Sequence, residues 1–514
     1  MPNLLATLFR QRCAALILGA LAVFGYAPFY LYPIPILTLA GLFLLLAKTE
    51  TPRRGFALGW FYGLGLFGAG VSWIYVSLHD FGGMPMPLAA LATGAFCAFL
   101  ALFPALAGWL GARFSRHRLW ALPFAWVLFE WVLNWIFTGF PWMTLGYSQV
   151  PHSGLAGWAP VAGVFGVSLA AALTAALTAA LIAAWARGAQ RGKLLLAALA
   201  IWLGGSALKF ASWSVPVGQP ISVSLLQGNI PQDMKWRAED VDRTLRIYLD
   251  LARKNPAQLV VLPETALPLL WHDVPQNYRE LLAAPAKNLG GNTLAGAPEQ
   301  VGDDYFNSMF SLGTAPEQKY SKSHLVPFGE FIPFKSALGW VYRDLLHIPL
   351  SDLSPGATDQ QPMMLAGQQV ALNICYEDVF GEEIIRQLPQ ATLLVNASND
   401  AWYGHSLAAH QHLQISQTRA LETARMMLRA TNTGATAIIA PDGTIIAQAP
   451  HFTTTALTGQ AQGYAGITPY VRWGNWPVVA MIFLALGLLW WRQKIPQTGV
   501  RNGVDYPAVF RLVF

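Results

Sequence analysis

Long apolar stretches separated by short polar breaks fill the first two-fifths of the chain. A helix needs about 20 mostly apolar residues to cross a hydrocarbon core of about 30 Å. Such stretches lie near residues 13–29, 31–47, 56–78, 87–112, 119–138, 161–186 and 194–211, with one more near 475–491. The pattern predicts seven transmembrane helices in succession and an eighth far downstream. Pro28, Pro33 and Pro35 crowd the link between the first two. Arg10 and Arg12 before the first apolar run resemble the start of a signal peptide, but further spans follow at once, which predicts an uncleaved first helix.

From residue 221 the apolar period shortens to two. ISVSLLQGN (221–229), LVVLPET (259–265), TLAGAPE, NSMFSLG, QVALNIC and TLLVNASN read as strands. Charge-rich 233–254 and the segment 408–429 read as helices, and GATAIIAPDGTIIAQ as a hairpin turning at Asp442-Gly443. Strands interleaved with helices imply an α/β layered domain. The expected division is a membrane domain over 1–211, an α/β domain over 212–474, an eighth span over 475–491 and a tail over 492–514.

Composition and charge place these parts. Of 514 residues, 54% are hydrophobic and 12% charged, against roughly 25% charged in an ordinary soluble domain. A disordered or wholly soluble chain is excluded. The net charge of +6 does not mark a nucleic-acid binder, because only Glu50, Asp80 and Glu130 of the 27 acidic residues precede residue 212. Basic residues gather in alternate loops (Arg10 and Arg12; Lys48, Arg53 and Arg54; Arg113, Arg116 and Arg118; Arg187, Arg191 and Lys193), while loops 79–86 and 139–160 carry no Lys or Arg. Lys and Arg accumulate on the cytoplasmic side. Both termini are therefore expected inside, with residues 212–474 on the exported face.

Three side chains stand out chemically. Glu264 ends the strand in VVLPET, Lys322 sits in YSKSHLVPFGEF, and Cys375 ends the strand in ALNICYEDVF. Functional groups of α/β folds gather at such strand ends. Cys13 and Cys97 fall in apolar spans, so Cys375 has no partner for a disulfide within the polar domain. A thiol is a strong nucleophile only as thiolate. Glu264 is suited to take its proton, and Lys322 to favour the thiolate and bind an oxyanion, with the backbone N–H of Tyr376 as a second donor. Spacing alone leaves open a plainer reading, a buried cysteine and two surface charges.

Longer words narrow it. TGFPW (138–142), GYSQ (146–149), QGNIPQ (227–232), PET (263–265), HLVPFGEFIP (324–333), ICYE (374–377), NASNDAW (396–402) and RALETAR (419–425) resemble the nitrilase-like carbon–nitrogen hydrolases, and closely their membrane branch, the apolipoprotein N-acyltransferases. The resemblance implies a polytopic α-helical membrane domain of about eight transmembrane helices plus a nitrilase-like α-β-β-α sandwich. It implies a triad of Glu264, Lys322 and Cys375, supported by Glu330, Tyr376 and Glu377, with Trp236 touching substrate. The implied reaction passes the sn-1 acyl chain of a phospholipid, phosphatidylethanolamine, through a cysteine thioester. The acceptor is the α-amine of the S-diacylglyceryl cysteine of an apolipoprotein. The implied enzyme is a monomer of the bacterial inner membrane, with its site on the periplasmic face and no cofactor or metal.

Other features have plainer alternatives. Glu330 orients Lys322 or is a surface glutamate after a turn. Glu377 takes part in chemistry or pairs with backbone amides. Trp236 closes over an acyl chain or packs a helix. Segment 334–350 is expected to dip into the membrane interface as a lid. His405, His410 and His412 do not share one helical face and are not expected to bind metal. Asn396-Ala-Ser is a sequon at the end of a buried strand and is not expected to be glycosylated. Glu130 lies in the fifth span, where a carboxylate needs a partner; the family's arginine three positions on is Leu133 here, leaving Asn134 to offer a hydrogen bond. Two other functions fit parts of this pattern: a membrane-tethered amidase or nitrilase with a small water-facing pocket, and a transporter, which would show paired intramembrane charges or repeats.

Overall fold

The computed structural model describes residues 2–186, 191–333 and 352–495. The lid expected over 334–350 lies outside the described residues, as does most of the tail.

Helices occupy each apolar stretch: Pro2–Ala22, Pro33–Ala47, Pro52–Gly70, Met86–Leu100 continuing as Leu102–Ala112, Arg118–Leu133, Ala159–Ala186, Gly192–Leu208 and Trp476–Lys494. Among the described residues, four are long and apolar enough to cross a membrane, and five if Pro52–Gly70 and Ile74–Phe81, bent by 56°, form one span. Pro33–Ala47, Arg118–Leu133 and Gly192–Leu208 have 15, 16 and 17 residues. At about 1.5 Å per residue they fall short of a full crossing by themselves. Prolines shape two of these ends: Pro33 opens its helix, and Pro52 starts the next after Thr51 caps it. Small residues let the helices close: Gly59 and Gly63 lie against the backbone of Pro104 and Ala101, where any Cβ would collide.

The polar domain has two six-stranded mixed sheets. In the first, β1 (Val215–Gln227), β2 (Leu259–Val261) and β3 (Asn292–Val301) are parallel, β4 (Asp304–Gly313) and β5 (Lys319–Ser321) follow antiparallel, and a late strand (Thr455–Ala465) closes the edge beside β1. The second runs from β6 (Met363–Leu365) through β7 (Gln368–Ile374), β8 (Leu393–Ser398) and β9 (Met427–Thr431) to a hairpin, Ala437–Ile439 and Ile445–Gln448, turning at Gly443. Alternate apolar positions of both sheets, among them Val223, Val261, Leu372 and Val395, face each other in one core. Helices Ala238–Lys254 and Gln276–Lys287 cover the outer face of the first sheet, and Ala408–Thr423 that of the second. The result is an α-β-β-α sandwich.

Two element boundaries differ from the sequence pattern. The helix expected over 233–254 begins at Ala238, after a turn that carries Lys235 and Trp236. The helix expected over 408–429 stops at Thr423, because Ala424 turns left-handed at φ 52° and Met427–Thr431 is a central strand. Every residue of that helix except His410 is buried, polar ones included. Its glutamines fasten the two halves together. Gln411 Oε1 accepts from Trp73 and Trp142 at 3.0 and 2.7 Å while its amide donates to Gly70 O, and Gln414 bonds Ala27 N and Val150 O.

Candidate active site

Glu264, Lys322 and Cys375 arrive from three strand ends and meet where the two sheets open toward the membrane half. Lys322 follows β5 and is 1% exposed. Its ammonium lies 2.8 Å from Glu330 and 3.4 Å from Glu264 Oε1. Glu264 Oε1 also accepts from Asn307 Nδ2 at 2.7 Å, and Oε2 from the backbone N–H of Asn399 at 2.9 Å. Burial pulls the Lys322 ammonium down, but Glu330 and Glu264 outweigh it and hold it well above the usual lysine range. It is a fixed cation.

Cys375 is half-buried and stands at the turn after β7, with φ at 53°. Burial and the charge of Glu264 push its thiol well above the ordinary value, against Lys322 and a hydrogen bond from Ser398. The resting group is therefore the thiol. Among the charged groups that act on it, Glu264 acts most strongly.

The supporting residues sort themselves by contact. Glu330 holds Lys322, bonds Asn307, and accepts from Val326 N at 2.8 Å. Glu377 is fully enclosed. Oε1 accepts from Ser323 N, Ser323 Oγ and His324 N, and Oε2 from Ile374 N and Tyr320 OH. That carboxylate clamps the Lys322 loop to the Cys375 turn, as the backbone-pairing alternative expected. Tyr376 reaches the other way: its hydroxyl donates to Gly139 O at 2.9 Å, and its ring stacks on Phe140 and Trp142. Trp236 is 55% exposed on the turn before a helix, so it does not pack that helix.

Sequence reasoning passed over Lys235. It is 3% exposed and donates to the Glu264 carbonyl at 3.3 Å and to the Thr265 hydroxyl. Burial pulls it down to about 8, with Glu264 and Cys375 resisting. His412 was also missed: two carboxylates face it, Asp378 at 2.8 Å and Asp400 at 3.0 Å. Those partners come from other strand ends, so the histidine spacing gave no hint of them. Among the described residues no group of three or more His, Cys, Asp or Glu is arranged to hold a metal. Asn396 is buried in β8 and bonded to Asn373, which removes it as a glycosylation acceptor. Glu130 bonds Trp126 Nε1 and Leu145 N, each at 2.8 Å, and not Asn134 as the sequence suggested.

A cavity of about 590 Å³ opens at the seam between the halves. Trp135 and Thr138 line it from the membrane side; His324, Phe331, Phe380 and Glu383 from the other.

Comparisons with known proteins agree with this division. Residues 18–177 match the model of the apolipoprotein N-acyltransferase N-terminal domain, and residues 222–470 that of the carbon-nitrogen hydrolases. The apolipoprotein N-acyltransferase of Nitrosomonas europaea is 54% identical over 482 residues, covering 93% of this chain and 95% of its own. The chain belongs to the apolipoprotein N-acyltransferase family. A second member, from Chromobacterium violaceum, is 46% identical with 94% of each chain covered, and a third, from Methylococcus capsulatus, is 44% identical with 93% and 95% covered.

Proposed function

We propose that this chain is an apolipoprotein N-acyltransferase that works by ping-pong transfer through a thioester on Cys375. Sγ attacks the sn-1 ester carbonyl of a phospholipid, phosphatidylethanolamine, while its proton passes to Glu264. The oxyanion forms against Lys322 Nζ and the Tyr376 N–H. Collapse expels the glycerol oxygen, which takes the proton from Glu264, and leaves a thioester and a lysophospholipid. The α-ammonium of an S-diacylglyceryl cysteine then sheds one proton to solvent. As its nitrogen attacks the thioester, a second proton passes through Glu264 to the departing sulfur. The products are an amide and the free thiol.

Glu330 takes the closer hold on Lys322, at 2.8 Å, and leaves Glu264 the longer one at 3.4 Å. Trp236 is assigned to the substrate, at the rim above Lys235. The reading further takes residues 1–211 as seven spans, 475–491 as an eighth, and 212–474 as a periplasmic domain at the bacterial inner membrane. The enzyme acts as a monomer.

The observation that carries the reading is the bond from Tyr376, beside the nucleophile, to Gly139 of the membrane half. Thioester chemistry needs water kept away. A nucleophile whose next residue is bonded to the membrane half suits a lipid chain better than it suits the small water-facing pocket of an amidase. The deciding experiment incubates a diacylglyceryl peptide with enzyme and phosphatidylethanolamine and weighs the peptide. One fatty acyl group gained on the amine is expected, and none with Cys375→Ala. Undiminished transfer by that variant would overturn the proposal.

A further inference from the structure

One piece of backbone in this reaction must not turn. The Cys375–Tyr376 peptide is planar, so the direction of the Cys375 carbonyl fixes the direction of the Tyr376 N–H on the opposite edge. At Cys375 the chain adopts φ of 53°, a left-handed conformation that strains a residue with a Cβ and must be held by its surroundings. The carbonyl oxygen has two donors beneath it: Asn396 Nδ2 at 3.1 Å and His412 Nε2 at 3.2 Å, whose one hydrogen is shared with Asp378 Oδ1 at 2.8 Å.

Neither donor is free to move. His412 is 2% exposed, with Nε2 2.8 Å from Asp378 Oδ1 and Nδ1 3.0 Å from Asp400 Oδ1. Acceptors face both ring nitrogens, and only the imidazolium donates from both. Burial and Arg429 pull its pKa down, but Asp378 and Asp400 lift it to about 9. Arg429 completes the cluster, reaching Asp378 at 3.1 Å, Asp400 at 2.8 Å and Asn396 Oδ1 at 2.7 Å. Asp400 bears on the sulfur and pushes its thiol up, while the cluster as a whole, with two cations and two anions, carries no net charge. Its effect is local and directional. Donors on a carbonyl draw electron density through the amide and strengthen the N–H on its far edge, the more so at low dielectric.

We propose that His412, as a buried imidazolium, is a positioning residue that acts with Asn396 to aim and polarise the Cys375–Tyr376 peptide, making the Tyr376 N–H an effective oxyanion donor. This rests on Cys375 being the nucleophile.

Two reactions of the same sulfur separate this role from a merely structural one. Acylation by phospholipid forms an oxyanion; alkylation by iodoacetamide does not. In the full-length protein, mass spectrometry of the Cys375 peptide gives both rate constants, measured at saturating phospholipid, and their ratio cancels changes in thiol ionisation common to both. For His412→Gln the acylation-to-alkylation ratio is expected to fall about tenfold or more, in the direction of losing an oxyanion-hole donor. An unchanged ratio, with both rates intact or both reduced together, would overturn the proposal. If His412→Gln does not fold, Asn396→Ser, which removes the second donor to the same carbonyl, is judged by the same ratio. Failure of the nucleophile reading would appear separately, as transfer that survives Cys375→Ala.

Discussion

At the scale of single residues the site is a balance of buried charge, and Lys235 is its least expected weight. A lysine driven down to about 8 by burial, with Glu264 and Cys375 opposing, binds its proton more weakly in the folded chain than at the ordinary value of 10.5. Between those two values the unfolded chain carries more protons, so this residue makes stability rise as pH rises from about 8 to about 10.5. In Lys235→Met that contribution is absent. The thermal midpoint of Lys235→Met minus that of the wild type should therefore fall steadily from pH 7 to pH 10, whatever its sign at the start. A difference independent of pH would mean that Lys235 titrates normally. The residue earns its place by holding the Glu264 carbonyl and the Thr265 hydroxyl, which fixes the turn that presents the carboxylate.

At the scale of elements, the decisive join is between the loop after β5 and the turn after β7, and Glu377 makes it. Its carboxylate takes three backbone N–H groups and two hydroxyls. Glu377→Ala would leave those donors buried without acceptors, at about 1–3 kcal/mol each where water cannot replace them. Activity and thermal midpoint should drop together, and Glu377→Gln, whose amide meets N–H groups with N–H groups, should follow part of the way. Lost activity at an unchanged midpoint would instead place the carboxylate in the chemistry. Much of this architecture was legible in the sequence. Alternating apolar residues marked β1, β7 and β8, the Asp442-Gly443 turn marked its hairpin, and Glu264 and Cys375 were found at strand ends. What escaped was set by distant partners. The Ala408–Thr423 helix has a polar sequence because its glutamines bond another domain's backbone, and no local period reveals that. Arg429 fell at the end of the segment read as helical; a charge in a buried central strand is costly alone, and Asp378 and Asp400, brought from two other strand ends, remove the cost.

For the whole molecule, packing gathers the basic breaks at one end of the helical bundle and the polar domain at the other. Arg118 bonds the carbonyls of Ala47 and Thr49, while Gln493 reaches Arg113 O and Phe114 packs on Trp490. The basic breaks near residues 48–54, 113–118 and 492–494 thus share one end of the bundle. The catalytic domain grips the other end, through Gly70, Gly139, the Val164 N–H on Glu422, and the Asn475 N–H on Glu382. Lys and Arg favour the cytoplasmic side, so the end bearing Cys375 should face away from it. Exposed positions on either side test this in cells: Ser115→Cys in the basic break and Asp303→Cys in the β3–β4 turn, each with the native cysteines replaced. A membrane-impermeant maleimide should label Asp303→Cys in cells with a permeabilised outer membrane, and Ser115→Cys only after lysis. The reverse pattern would put the thiol on the cytoplasmic face. An exported apolipoprotein could not reach it there, and the acyl transfer proposed for this chain would fail with the orientation.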